Sequence, residues 1–375
     1  MAERRALILG TLAGQVDAIE VLRAAGWSVY TCGHRREGPG VEAADEFFLV
    51  DILDVEAVAA LADRLGVDIV YSVGSDIAMP TVARVSERLG LPMFHSVEIT
   101  DTLQRKDLLR DALDRAGLSP VQHRTLASTA DLEGFSTFPA IVKPSDSQGQ
   151  RGITVVETLD EARSVVETAL GFSNSGTAII EEWLDGPEIS VHVFVVDGVV
   201  RFFLPSDRYV WKGELIGVAS GHAMPAHALD DATRPALERL VQDFATSLGI
   251  ETGPLYFQLI LTENGPRIVE VASRLDGCHL WRLTEQHTGF NLMAACFSVL
   301  AGEPWVDPEP WDDRITDELH FYLGPPNRPF HLADYLPPAD TVVTYQEPQV
   351  DEGDLPRDAN GVVSRLGYYM TTDRA

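Results

Sequence analysis

FPAIVKPSDSQGQRGITVVE, residues 138–157, is the stretch on which the assignment of the fold depends. An apolar strand-like run ends at Lys143, passes through a small polar loop and enters a second apolar run. Gly149 and Gly152 permit positive φ and close approach to a ligand, and Lys143 can reach a phosphate oxygen. Taken alone, the pattern fits an ordinary hairpin as well as a ligand-binding loop, so the surrounding sequence has to decide.

Upstream, residues 5–95 alternate short apolar strands with helix patterns that end at or near a glycine. This alternation predicts a parallel sheet wrapped by helices. The first loop, GTLAG, carries Gly10 and Gly14 but lacks the GxGxxG spacing, so we interpret it as a strand-to-helix turn. The predicted strands are ALILG, SVYTCG, EFFLVD, DIVYSVGSD and LPMFH.

Downstream, helices and strands follow in a less regular order. A helix is predicted over residues 100–118, and a mixed α+β segment follows it. Asp197-Gly198, between two alternating apolar runs, indicates a tight hairpin turn. Further predicted elements are helices over 231–248 and 285–301 and a hairpin over 254–273.

The composition of the 375 residues excludes several classes of protein. The net charge of −28 makes nucleic acid and anionic lipid poor partners, since both would be repelled. No apolar run approaches the ~20 residues of a membrane helix, and we interpret the first apolar run as a buried strand, not a secretory signal. Cys32, Cys278 and Cys296 are too few and scattered for a disulfide framework or zinc site, which favours the cytoplasm.

Lysine is rare in this chain. It occupies only three of the 29 Lys and Arg positions, namely Lys106, Lys143 and Lys212. Two of the three stand beside nucleotide-like motifs, where a compact ammonium suits a phosphate better than a planar guanidinium.

Two later segments add acidic groups. In TAIIEEWLDGPEISV, residues 177–191, a buried strand runs into two glutamates, a turn and Glu188. In GPLYFQLILTENGPRIVEVASRLDG, residues 253–277, a three-residue turn at Glu263–Gly265 would pair position 258 with 270. Gln258, Glu270 and Arg274 would then share one face of the hairpin, as two oxygen ligands for Mg²⁺ and a cation for a phosphate. Each segment alone also fits a solvent-facing turn or a cross-strand ion pair.

Taken in order, these segments resemble the ATP-grasp superfamily over roughly residues 5–300. The resemblance implies an α/β protein: a Rossmann-like parallel-sheet domain, followed by a two-lobed α+β ATP-grasp module. The implied boundaries are 1–100 for the first domain, 101–185 for the linker helix and small lobe, 186–305 for the large lobe, and 306–375 for a C-terminal extension that completes or covers it.

The resemblance also implies roles for individual residues. Lys106 and Lys143 look like the two lysines that hold the ATP phosphates, and Lys143 is also counted as catalytic. Glu270 and Gln258 look like magnesium ligands, and Arg274 like the arginine that steadies an acyl phosphate. The phosphate flap would comprise Ser145, Ser147, Gln148, Gly149 and Gly152, the adenine hinge Glu181, Glu182, Trp183 and Leu184, and the ribose site Glu188.

The implied activity is ATP-dependent carboxylate–amine ligation through an acyl phosphate, releasing ADP and phosphate, with an amino acid or a similar small acid as substrate. The form E-x-A-x-R-x-x-G is similar to the branch of L-amino-acid ligases that make dipeptides. The segment 206–226 lies where that branch places a substrate loop, which could equally be a mobile surface loop. Candidate substrate residues are His222, Ser273 and Arg282, with Tyr209, Trp211, Lys212, His279, Trp281 and His287 nearby.

Gln258 is a departure, because many members of the superfamily carry glutamate there. One negative charge fewer would weaken metal binding, leave one metal ion in place of two, or remove catalysis. Gln258 is the main argument for one alternative, a nucleotide-binding homologue with altered catalysis. Two further alternatives stay inside the superfamily, a purine-pathway type of carboxylating or formate-using synthetase and a carrier-directed ligase. A dinucleotide oxidoreductase is disfavoured by the missing GxGxxG motif. Expected partners are small-molecule carboxylates and amines, and the chain is compatible with a homodimer.

Overall fold

The computed structural model describes residues 4–147, 149–213, 215–357 and 361–374. Within these ranges the chain forms one four-stranded parallel sheet and two further sheets of four and eight strands. No helix in the described ranges is long and apolar enough to cross a membrane. The mixed α/β architecture predicted from the sequence is confirmed.

The parallel-sheet unit, residues 5–95, has the strand order β3-β2-β1-β4. Four of the five predicted strands are confirmed, but the prediction of a strand at LPMFH is wrong. This segment crosses to the next unit as a loop in which His95 Nε2 hydrogen-bonds the carbonyl oxygen of Pro254. The elements are β1 (Arg5–Leu9), α1 (Ala13–Ala24), β2 (Ser28–Gly33), α2 (Gly40–Ala43), β3 (Glu46–Leu49), α3 (Val55–Leu65), β4 (Ile69–Tyr71) and α4 (Met79–Leu89).

Two helices replace the single helix predicted over residues 100–118. They are α5 (Val97–Gln104) and α6 (Lys106–Ala116), and Arg105 between them has an extended backbone with φ −106° and ψ 117°. The break places Lys106 at the first position of α6, where its backbone N–H donates to the carbonyl oxygen of Ser145 at 2.8 Å instead of to a helix carbonyl.

The small lobe is a four-stranded antiparallel sheet in the order β5-β8-β6-β7, with one helix packed on it. Apolar residues of α7 and of the sheet form a core of their own. The elements are β5 (His123–Leu126), β6 (Ala140–Pro144), β7 (Thr154–Val156), α7 (Leu159–Gly171) and β8 (Ala178–Glu182).

The large lobe is built on the eight-stranded sheet β13-β12-β9-β10-β11-β14-β16-β15. The predicted turn at Asp197-Gly198 is confirmed, and both residues have positive φ. The prediction of one helix over 285–301 is wrong, because one helix ends just before Gly289 and another begins at Leu292. The elements are β9 (Glu188–Val196), β10 (Val199–Val210), β11 (Ala219–Met224), α8 (Arg234–Ser247), β12 (Gly253–Thr262), β13 (Gly265–Ala272), α9 (Leu280–Thr288), α10 (Leu292–Leu300), β14 (Asp317–Gly324), β15 (Val343–Pro348) and β16 (Ser364–Thr372).

The two faces of the large sheet have different neighbours. On β9, Ile189, Val191 and Val193 belong to a core that also contains the buried residues of α6 and α8. The opposite face contributes Phe194, Tyr256 and Leu319 to the core of the parallel-sheet unit. Ser190 and His192 point to this second face because side chains alternate along a strand. Ser190 and His192 therefore lie at the junction of the large lobe with the parallel-sheet unit.

Candidate active site

Gln258 and Glu270 face each other across the β12–β13 hairpin, as predicted, although the turn differs from the prediction. The closing pair is Thr262 with Gly265, so the turn is one residue tighter than expected. An irregularity between Gln258 and Leu259 then shifts the register by one residue, which restores the Gln258–Glu270 pair. Both side chains are half-buried. The extra residue at the bulge thus offsets the residue missing from the turn.

The Gln258–Glu270 pair has the donor chemistry that Mg²⁺ requires, because a carboxylate and an amide carbonyl are both hard oxygen ligands. In the described ranges, no group of three or more His, Cys, Asp or Glu side chains is arranged to hold a metal ion. A metal ion held by this pair would therefore complete its coordination with water and phosphate oxygens, as Mg²⁺ commonly does. The residues present fit a weakly held magnesium ion.

Lys143 lies on β6 and is almost fully buried, with its Nζ 2.6 Å from Oε2 of Glu181 on β8. Glu181 also accepts a hydrogen bond of 2.7 Å from Nε of Arg110. Burial alone would raise the pKa of Glu181, but Arg110 and Lys143 outweigh it and hold that pKa below its ordinary value. Burial lowers the pKa of Lys143, and the charge of Glu181 partly opposes the shift. Two buried cations thus share one carboxylate.

Arg110 was not predicted as a site residue. It lies four residues after Lys106 on α6, so the two side chains share one helix face. Its guanidinium is 2% exposed and also donates to the carbonyl oxygen of Ile268 at 2.8 Å, which joins α6, the small lobe and the hairpin. The sequence signal that could have identified Arg110 is its spacing of four residues from Lys106.

The loop after β6 lies against Lys106. The Lys106 Nζ donates to the carbonyl oxygen of Ser147 at 3.3 Å. The hydroxyls of Ser145 and Ser147 are buried, and neither has a hydrogen-bond partner in the described part of the chain. Gly149 and Gly152 both have φ of +72°. Gln148, the remaining predicted flap residue, lies outside the described residues.

The predicted adenine hinge follows Glu181. Glu182 accepts from the N–H of Gln122 at 3.0 Å, and the Trp183 N–H donates to Pro139 at 2.9 Å. The Trp183 side chain is exposed and that of Leu184 is half-buried. These residues form the rim of the small lobe.

Glu188, the predicted ribose ligand, opens β9 and forms an ion pair with Arg208 of β10. A second guanidinium nitrogen of Arg208 donates to the carbonyl oxygen of Gly217 at 2.7 Å. The flap residue Gln150 reaches the same oxygen at 3.4 Å. Glu188 therefore lies where the flap residue Gln150 approaches Gly217.

Arg274 follows β13 and is 6% exposed. Its Nη1 donates to the Leu275 carbonyl at 2.8 Å, and its Nη2 forms an ion pair with Asp76 of the parallel-sheet unit. Burial would lower the pKa of Arg274, but the negative charges of Asp76, Asp276 and Glu270 raise it above its ordinary value. The Nε is buried and has no partner within the described residues. This N–H is therefore a buried donor available to a ligand.

A single cavity brings several of these groups together. Its lining includes residues of α5 and α6, of the flap, of β13 and of the parallel-sheet unit. The polar lining residues are Asp76, Thr100, Gln104, Lys106, Asp146, Ser147, Glu270 and Ser273. The predicted phosphate-binding lysine, a predicted magnesium ligand and a predicted substrate residue thus border one space.

The other predicted substrate residues lie deeper or elsewhere. His222 is on β11, fully buried, and neither ring nitrogen has a hydrogen-bond partner in the described ranges. Burial lowers its pKa well below the ordinary value. Arg282 forms an ion pair with Asp17 of α1 and stacks on the ring of Tyr345 at 4.6 Å. The sequence left open whether Arg282 binds a substrate carboxylate or forms an ion pair within the protein. In the structure it forms the ion pair.

Comparison with known proteins identifies related sequences. Residues 105–277 match the family described as phosphoribosylglycinamide synthetase, ATP-grasp (A) domain. A phosphoribosylamine–glycine ligase of Streptomyces coelicolor is 28% identical over 76% of this chain and 72% of its own length. The same-named ligase of Methanocaldococcus jannaschii is 24% identical over 64% of this chain and 60% of its own. The chain spans only 18% of a Drosophila pseudoobscura trifunctional purine biosynthetic protein.

Solved structures share the fold over nearly the whole chain. An L-amino acid ligase from Bacillus licheniformis superposes with a TM-score of 0.80 at 20% identity, covering 99% of this chain and 93% of its own. A phosphoribosylglycinamide synthetase from Anaerococcus prevotii gives 0.77 at 18% identity, covering 100% and 95%. An N5-carboxyaminoimidazole synthetase from Staphylococcus aureus, complexed with ADP, gives 0.78 at 14% identity, covering 99% and 94%.

Proposed function

Because the chain belongs to the ATP-grasp superfamily and is an ATP-grasp carbon–nitrogen ligase, we propose that it joins an amino acid or a similar small carboxylic acid to an amine at the expense of ATP. The observation that carries this proposal is the shared cavity of Lys106, Glu270 and Ser273, next to Arg274. Such a reaction needs groups for phosphate, metal and acyl oxygen at one place, so the shared cavity supports these predicted roles.

The proposed reaction has two steps. A carboxylate oxygen of the acid attacks the γ-phosphorus of ATP, the bond to the β,γ-bridging oxygen breaks, and ADP leaves as an acyl phosphate forms. The amine then attacks the acyl carbon, loses a proton, and expels inorganic phosphate as the amide forms. Binding and electrostatic stabilisation by the protein dominate such phosphoryl transfers.

The phosphates of ATP would be held by Lys106 and by the Lys143–Arg110 pair. Since Glu181 balances only one of the two buried cations, a bound polyanion would supply the missing negative charge. The unpartnered hydroxyls of Ser145 and Ser147 would donate to the same oxygens. The flap over these groups would exclude water from the acyl phosphate.

The metal would be held by Glu270 and Gln258, and when bound it supplies positive charge against the phosphates. Arg274 would hold the transferring phosphoryl group and the acyl oxygen through its free Nε–H. The predicted adenine and ribose contacts, from Glu182 to Leu184 and at Glu188, form part of the same proposal.

The choice of an amine without a phosphate rests on two loops at the carboxyl ends of β1 and β4, where ligands of parallel sheets bind. Residues 10–14 and 72–79, GTLAG and SVGSDIAM, carry no lysine or arginine. A lysine or arginine on these loops would favour a phosphorylated amine. Their absence supports an amino acid or a similar small amine, although Arg35 and Arg36 follow the neighbouring strand β2 and backbone N–H groups at a helix N-terminus also bind phosphate.

Gln258 supports a second candidate function, that of a nucleotide-binding protein with altered catalysis. The amide removes one negative charge from the metal site, which leaves Glu270 as its acidic member, and no group of three or more His, Cys, Asp or Glu side chains in the described ranges is arranged to hold a metal ion. This candidate binds ATP without turning it over.

A pairwise screen separates the two candidates. Purified protein, ATP and MgCl₂ are incubated with pairs of amino acids and small acids, with ADP measured and products read by mass. ADP formation that requires both members of a pair, together with an amide of the expected mass, supports the ligase. ATP binding without ADP from any pair supports the altered homologue. A cytoplasmic location and a homodimer remain predictions. A sedimentation measurement would test the homodimer.

A further inference from the structure

The loop that follows β13, residues 274–279, is touched by the parallel-sheet unit at three successive points. The first is the ion pair between Asp76 and Arg274. It fixes Nη2, while the loop's own Leu275 carbonyl fixes Nη1, so the guanidinium has little freedom to rotate. The Nε–H then points in one direction.

The second point is a contact between backbones. Gly74 has φ of +65°, and a Cβ there would lie 2.6 Å from the Cα of Gly277. Conversely, a Cβ on Gly277 would lie 2.7 Å from the carbonyl oxygen of Gly74. Only two glycines allow the loops to approach this closely.

The third point is the carboxylate of Asp17 on α1. It accepts from the Trp281 Nε1 at 2.7 Å and lies 3.4 Å from the His279 Nδ1. His279 has φ of +59°, uncommon for a residue other than glycine, and its ring stacks on Tyr368 at 4.5 Å. This end of the loop is thus also held in a defined conformation.

We propose that the parallel-sheet unit positions Arg274 for catalysis, with Asp76, Gly74 and Asp17 as positioning residues. The contacts orient the loop before substrate arrives and hold the Arg274 guanidinium beside Ser273, which lines the cavity. The inference rests on the proposed function for its catalytic consequence, but the positioning itself is a property of the fold.

Asp76→Ala tests the first contact by kinetics. The loss of the Nη2 anchor should lower kcat on the order of 100-fold, with a much smaller change in ATP affinity, since Asp76 borders the cavity with Lys106 but forms its ion pair with Arg274. Asp76→Glu should restore part of kcat. A change in ATP affinity alone, or a normal kcat in Asp76→Ala, would overturn the assignment.

Gly74→Ala tests the second contact without relying on activity. Its matched control is Gly90→Ala at the end of α4, which has φ of +67° and nothing within 4 Å of the added Cβ. Both variants carry the same backbone strain, but only Gly74→Ala clashes with Gly277. Amide hydrogen exchange of residues 274–279 should be faster in Gly74→Ala than in wild type and unchanged in Gly90→Ala.

The exchange experiment separates failure of this inference from failure of the proposed function. Equal protection of the loop in both variants and wild type would overturn the positioning role, whatever the activity. If no substrate pair gives turnover while Gly74→Ala still exposes the loop, the positioning stands and the ligase proposal fails.

Discussion

The Nζ of Lys143 lies 2.6 Å from Oε2 of Glu181, and both side chains are almost completely buried. Arg110 forms an ion pair with the same carboxylate, so the three side chains together carry two positive charges and one negative charge. Buried charge is costly unless it is paired. The surplus cation is therefore best explained by an anionic ligand.

Replacement of Lys143 tests this explanation. In Lys143→Met, Glu181 keeps Arg110 and the fold should survive, but ATP should bind roughly 10- to 100-fold more weakly, since a charge-assisted contact is lost. Calorimetric titration with ATP measures the change. Arg163→Ala, an exposed cation on α7 of the same lobe, should bind ATP normally. Equal affinity of Lys143→Met and wild type would remove Lys143 from the phosphate site.

Arg274→Lys should separate binding from chemistry. A lysine keeps the charge but cannot maintain the planar set of donors toward Asp76, Leu275 and the ligand. We expect kcat to fall about 100- to 1,000-fold with ATP affinity retained, as for loss of a transition-state donor. Arg267→Ala, on the strand β13 that precedes Arg274, is the control. Normal turnover in Arg274→Lys would contradict the role of this side chain.

Gln258→Glu should strengthen the metal site, because it restores a carboxylate opposite Glu270. The Mg²⁺ concentration that gives half-maximal ATP binding should fall. Asn264→Asp adds the same charge at the exposed tip of the same hairpin and should leave the Mg²⁺ dependence unchanged. If both variants behave alike, the hairpin pair does not ligate the metal.

Gly152→Ala should disturb the flap. An added Cβ at this position would lie 2.8 Å from the ring of Phe172, and the residue has φ of +72°. Gly176→Ala is the control, because its position has the same φ but nothing within 4 Å of the added Cβ, so it carries the backbone strain without the clash. The ATP dissociation rate, measured by stopped flow, should rise in Gly152→Ala only. The idea fails if the two variants release ATP equally fast.

The stability of the protein should fall below pH 6.5. Burial lowers the pKa of His95 from 6.5 to about 4, so the unfolded chain takes up a proton more readily than the folded one. The stability is complete above pH 6.5 and declines as the pH falls toward 4. Between pH 7.5 and 5, His95 should account for about 2 kcal/mol of the loss.

Urea unfolding of wild type and His95→Gln at pH 7.5 and 5 measures this contribution. Glutamine can still donate to the Pro254 carbonyl, which His95 Nε2 contacts at 3.0 Å, but it does not titrate. The decline should be smaller in the variant, with further contributions from His192, whose pKa burial lowers to about 4, and from His222, whose pKa burial lowers well below its ordinary value. An identical decline in both proteins would exclude His95 as its source.

The sequence predicted most of the elements because hydrophobic periodicity and glycine stops are local signals. It failed where tertiary contacts decide. The helix break at Arg105 is fixed by the contact of Lys106 with the Ser145 carbonyl, which no local pattern shows. The segment LPMFH has the composition of a strand but crosses between units.

The residues of the candidate site also divide into those that a local pattern predicts and those that only tertiary contacts reveal. The pairing of Gln258 with Glu270 was predicted from the wrong turn, and a bulge restored it. Arg110 and Asp76 could not be identified, because their importance comes from partners 71 and 198 residues away along the chain. Sequence motifs name the residues on one strand or loop, whereas these two act across units.

The most direct test of the account is the fate of oxygen in the carboxylate substrate. With the acid identified by the screen and labelled with ¹⁸O in its carboxyl group, the acyl-phosphate route transfers one labelled oxygen to phosphate for each amide formed. Mass spectrometry of the released phosphate reads this transfer. One ¹⁸O per phosphate is the predicted result, and unlabelled phosphate released alongside amide product would contradict it.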